Sequence, residues 1–130
     1  MTSRSNREQS VIVTVYALCF ALGALSHAKD FLSYGWRPYD TAPLPIEVFW
    51  SSLLFIDLVI VGVLLSKHKC LGAALALFVM LTDVAINAYA AIALEFENLV
   101  GPLVLQSIFL GFILGTIGFV FRPSRRSKQS

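Results

Sequence analysis

Asp57 and Asp83 each stand near the middle of a long apolar run, residues 48–66 and 71–94. A carboxylate at that depth in hydrocarbon costs roughly 2.5–3.5 kcal/mol on insertion scales, so it has to face other protein and find a partner. No Lys or Arg lies inside any apolar run of the chain, so neither carboxylate has a fixed cation beside it. The pair is therefore expected to face each other and to hold a proton or a cation between them, which is the chemistry of proton-linked binding or transport. The same residues also fit a structural role, each Asp hydrogen-bonding to Asn87, Thr82 or a backbone carbonyl to join helices. The sequence leaves both readings open.

Other polar residues gather near the two aspartates. Asn87 follows Asp83 by four positions and shares its helical face. At 1.5 Å rise per residue, Asp57 lies about 14 Å and Asp83 about 18 Å from the basic side, with His27, Asn87 and Gln106 at about 23–24 Å. Trp50 and Ser51 fall at a similar height. On the first run, Gly23, Ser26, His27 and Asp30 form one small or polar stripe at i, i+3, i+4 and i+7. Asp57, Asp83, Asn87, His27, Gln106 and Trp50 are thus the candidate site, a polar pocket expected to open toward the outer side.

Several chemistries are set aside by spacing. Haem between helices takes two axial ligands at matched depth, and the second histidine, His68, belongs to the opposite side. Ser26, His27 and Asp30 have the residue types of a hydrolase triad, but such close positions on one helix cannot converge. His27 with Asp30 and Glu47 makes an unspecific metal set. No catalytic residue, metal or cofactor is expected, and an enzyme is the least favoured class.

These residues must be positioned by helices in lipid. Of 130 residues, 57% are apolar and 14% charged, with a mean hydropathy of +0.75. A soluble domain of that length leaves roughly a third of its unfolded surface exposed, too much for this composition. Four runs, 11–28, 48–66, 71–94 and 99–121, have the length of membrane-spanning helices. No alternating pattern suggests a transmembrane barrel. The expected fold is all-α: a polytopic four-transmembrane-helix bundle forming one domain over residues 1–130. Short links at 67–70 and 95–98 make antiparallel neighbours. The connection 29–47 carries Pro38, Pro43 and Pro45, which exclude a long helix, and aromatics that suit an interfacial loop capping the pocket.

Charge sets the expected orientation. Eight of the ten Lys and Arg (Arg4, Arg7, Lys67, Lys69, Arg122, Arg125, Arg126, Lys128) fall on one side, against Lys29 and Arg37 on the other. Both termini, including the basic tail 122–130, are therefore expected to be cytoplasmic in a plasma or bacterial inner membrane. Arg4 and Arg7 with Ala24-Leu25-Ser26 also imitate a cleavable signal peptide, an alternative that leaves the later runs unchanged. The net charge of +2 gives no reason to expect nucleic acid. Cys19 and Cys70 are expected to stay reduced.

Ser107, Gly111 and Gly115 form a small-residue stripe on the last run, suited to close packing within the bundle or against a second copy or partner helix. Phe109, Phe112 and Phe119 are expected to face lipid. The segments from Phe49 to Asp57 and from Leu81 to Asn87 resemble small four-helix bacterial inner-membrane proteins, in which a Trp-x-x-Leu-x-x-x-Asp helix precedes an Asp-Val-x-x-Asn helix. That resemblance implies a membrane class and no activity. The favoured function is binding or proton-coupled transport of a small molecule or cation; the alternative is a non-catalytic accessory or scaffold subunit.

Overall fold

The computed structural model describes residues 4–123. Helices α1 (Arg4–Tyr34), α2 (Leu44–Leu65), α3 (Lys69–Ala93) and α4 (Val100–Val120) account for most of them, with a single 3-10 turn at Glu97–Leu99 before α4. No strand occurs among the described residues, so the chain is all-helical there. All four helices are long and apolar enough to cross a membrane by length and composition. Each packs chiefly on its neighbours in sequence, and α1 closes the ring by packing on α4.

Local chemistry ends the helices. α1 runs through the segment expected to be loop and stops at Tyr34. There Gly35 takes a left-handed φ of 82°, and its N–H returns to the Phe31 carbonyl at 2.9 Å. Only a residue without Cβ adopts that conformation freely. The prolines act later than expected, and the connection shrinks to residues 35–43. α2 then begins with Pro45 in its first turn, where a missing N–H costs nothing, and Glu47 beside the positive end of the helix dipole. The α3–α4 turn places Glu95 at φ 58°, with the Phe96 N–H reaching back to the Ala90 carbonyl.

One end of the bundle is tied by its backbone carbonyls. Gln9 Nε2 on α1 and Cys70 Sγ on α3 both donate to the Val120 carbonyl on α4, at 2.5 and 3.6 Å. This end carries Lys67, Lys69 and Arg122; Arg125, Arg126 and Lys128 lie outside the described residues. The main core sits in this half, where Tyr16, Ile60, Leu64, Ala73 and Ile113 are almost fully buried. Gly72 lets α3 meet α2 closely, since a Cβ there would lie 2.9 Å from the Leu64 backbone nitrogen.

Helix α4 departs from two expectations. Phe109 and Phe112 stack edge-on against Tyr16, at 6.1 and 5.9 Å between centroids, so they turn toward α1 rather than purely toward the surroundings. The stripe of Ser107, Gly111 and Gly115 points away from the bundle and is exposed. A Cβ at Gly111 or Gly115 would meet nothing within 4 Å, so the stripe does not pack these four helices together.

Candidate functional site

The structure brings the six candidate residues into two linked groups. In the first, Asp83 on α3 accepts hydrogen bonds on both carboxyl oxygens. Asn87 Nδ2 donates to Oδ1 at 3.2 Å, and Gln106 Nε2 on α4 donates to Oδ2 at 3.0 Å. Asn87 Nδ2 also donates to Gln106 Oε1 at 2.7 Å, while Asn87 Oδ1 accepts from Trp50 Nε1 on α2 at 2.7 Å. The i, i+4 spacing of Asp83 and Asn87 is what aims both at Gln106. Three helices are thereby joined by a polar network in which Trp50, Asp83 and Asn87 are buried. Low dielectric strengthens such bonds and makes any missing one expensive.

The second group is held differently. Asp57 on α2 is only 6% exposed, and the charged or chargeable partner beside it is His27 Nε2 on α1, 4.0 Å from Oδ2. That distance is beyond a hydrogen bond. Asp57 and Asp83 line the same cavity but have separate partner sets, Asp83 in the amide network and Asp57 beside His27. His27 Nδ1 lies 2.8 Å from the Tyr39 hydroxyl, and Tyr39 donates its one proton to Asp30 Oδ2 at 2.7 Å. With that proton committed, the Tyr39 oxygen can only accept, so Nδ1 carries hydrogen and Nε2 of the neutral ring is a bare acceptor. Burial, aided by the neighbouring Asp30 carboxylate, raises the Tyr39 hydroxyl well above the ordinary tyrosine value and keeps it protonated.

Tyr39 was not singled out by sequence reasoning, and neither was the pair formed by Arg37 and Glu47. Arg37 donates through Nε and a terminal nitrogen to the two oxygens of buried Glu47, at 2.8 and 2.9 Å. This fork fixes the short loop to the start of α2. Tyr39 is then laid edge-on to Trp50 at 5.6 Å, and Trp50 edge-on to Phe96 at 6.2 Å. The density of aromatics around the prolines was the available signal, but it did not say which ring would turn inward.

His27, Asp57, Asp83 and Gln106 line the polar end of a cavity of about 620 Å³. Its long walls come from α1 and α4, with α3 behind, and no residue of the 35–43 loop lines it. Leu22, Leu105 and Ile108 stand exposed at its lips. The cavity thus opens through the flank of the bundle between α1 and α4, not toward the loop end as expected from residue heights. Nearer the basic end, outside the cavity lining, the Tyr16 hydroxyl meets Thr116 Oγ1 at 2.6 Å and the Ile113 carbonyl at 3.2 Å, zipping α1 to α4. Asn87 and Trp50 lie behind the lining, in the network rather than in the cavity wall.

Comparison with protein-family models, curated proteins and solved structures finds no match. The arrangement is read from its own chemistry. A volume of this size falls in the roughly 300–1,000 Å³ range of small-molecule pockets, apolar walls with a few convergent polar groups being their usual form.

Proposed function

We propose that this chain is an integral membrane protein of four spanning helices that binds a small molecule in the cleft between α1 and α4 and links its occupancy to a proton between His27 and Asp57. The observation that carries this reading is Asp57, whose carboxyl oxygens open onto the cleft and make no hydrogen bond to protein although the residue as a whole is buried. A carboxyl that joined helices would be bonded to protein on both oxygens, as Asp83 is. Opposite Asp57, the bare Nε2 of neutral His27 can take up a proton. Its other nitrogen already leads through Tyr39 to Asp30, a hydrogen-bonded path toward the loop end.

In a membrane, the end bearing Lys67, Lys69 and Arg122 lies on the cytoplasmic side of a plasma or bacterial inner membrane. Reporter fusions after Lys69 and at Ser130 should both read cytoplasmic, and a fusion after Asp40 should read external. Carboxyl infrared titration tests the proton link. One titrating band should vanish in Asp57→Asn; identical spectra for variant and wild type would remove Asp57 from the reading.

The second reading is a non-catalytic accessory subunit, favoured by the open face at Ser107, Gly111 and Gly115. There, Gly115→Leu would change the size of a complex in detergent without lowering the stability of the bundle itself.

A further inference from the structure

The polar end of the cleft has an unusual donor and acceptor balance. The Nδ1 hydrogen of His27 is spent on Tyr39, and both amide hydrogens of Asn87 go to Asp83 and Gln106. What is left facing the cavity is chiefly acceptor: Nε2 of His27 and the free oxygens of Asp57, with the remaining lone pairs of Asp83 behind them. Ser26 and Gln106 add neutral groups, and no Lys or Arg lines the cavity. The rest of the wall is hydrocarbon and aromatic, including Leu22, Val79, Leu105, Ile108 and Phe109.

The 4.0 Å separation of Nε2 and Oδ2 is itself informative. It is too long for a direct hydrogen bond, but a nitrogen seated over the gap can lie about 2.9 Å from each atom. Such a nitrogen must donate at least two hydrogens. A bare carboxylate within an apolar wall also favours a positive charge, since a charge-assisted bond is about twice as strong as a neutral one. The exposed lips on the flank would admit an apolar body from the side.

We propose that the cleft recognises a lipophilic primary or secondary amine in its ammonium form, with the nitrogen bridging His27 and Asp57 and the apolar body lying between α1 and α4. This rests on the small-molecule reading above and names its ligand class. A compact apolar body is accommodated by the cavity volume, whereas a sugar or nucleotide would leave most of its polar groups unpaired against Leu105, Ile108 and Phe109.

The test is a matched pair of probes sharing one rigid body, 1-adamantylmethylamine and 1-adamantylmethanol, titrated by calorimetry into the full chain in lipid nanodiscs at neutral pH. The amine is expected to bind at least about tenfold more tightly than the alcohol, roughly 1.4 kcal/mol. Asp57→Asn should abolish that preference while leaving the thermal melt unchanged. Equal affinity of the two probes for wild type would overturn the ammonium class and leave the small-molecule pocket standing. Amine preference retained in full by Asp57→Asn would also overturn it. Binding of neither probe would count against both this proposal and the pocket on which it rests.

Discussion

Nε2 of His27 and Oδ2 of Asp57 face each other at 4.0 Å across the α1–α2 interface because position 23 carries no side chain. A Cβ built on Gly23 would lie 2.8 Å from that same Asp57 oxygen. The glycine admits the carboxyl to the cleft, and α1 supplies both the space and, one turn later, the imidazole. Sequence alone grouped Gly23 with the polar stripe by spacing; its neighbour on another helix gives the grouping a physical reason.

The two aspartates should respond unequally to the same substitution. Both Asp83 oxygens accept from amide nitrogens, so Asp83→Asn must set one NH2 against another, and flipping Asn87 or Gln106 only moves the clash. A loss of about 1–3 kcal/mol is expected in reversible unfolding from mixed micelles. Asp57→Asn breaks no hydrogen bond and should stay within roughly 0.5 kcal/mol of wild type. Equal losses for the two variants would contradict this division of roles.

Two glycines in helices should differ as sharply. Gly72→Ala would drive a methyl against the Leu64 backbone, which cannot turn aside as a side chain can. It should destabilise the bundle by about 1–3 kcal/mol. Gly115→Ala has open space around its Cβ and should be neutral or stabilising by up to about 1 kcal/mol, because alanine favours helix. Thermal melts of the two monomeric variants in detergent decide the matter. A strongly destabilised monomeric Gly115→Ala would place a helix of this bundle where none is seen.

The Tyr39 hydroxyl predicts behaviour at alkaline pH. Its folded value is raised, first by burial and then by the hydrogen bond to Asp30. The folded state therefore holds a proton that the unfolded chain releases near the ordinary tyrosine value of about 10. The resulting stability is fully present below that pH and is lost progressively as pH rises above it. Tyr39→Phe should flatten the alkaline decline of the melting temperature, and ultraviolet titration should show one fewer late-ionising phenol. An unchanged alkaline profile would mean that Tyr39 is hydrated.

Length and hydropathy by themselves determined four apolar helices and their short antiparallel links, because those properties are summed along the chain and every helix satisfies its own backbone. That Asp83, Asn87 and Gln106 could meet was also legible, since rise per residue is fixed, whereas the expected heights set His27 well above the Asp57 that it approaches. Rotation and partner choice were not. That His27 comes within 4.0 Å of Asp57 depends on how two helices turn about their axes, which here rests on Gly23. The same is true of α4: small-residue spacing marked one face for close packing, yet the contacts of Tyr16 with Ile113 and Thr116 turn that face outward. The inward turn of Tyr39 required Arg37 to find Glu47 ten residues later. Each of these choices is made by side chains that meet only once the helices are assembled, so the tertiary structure decided them.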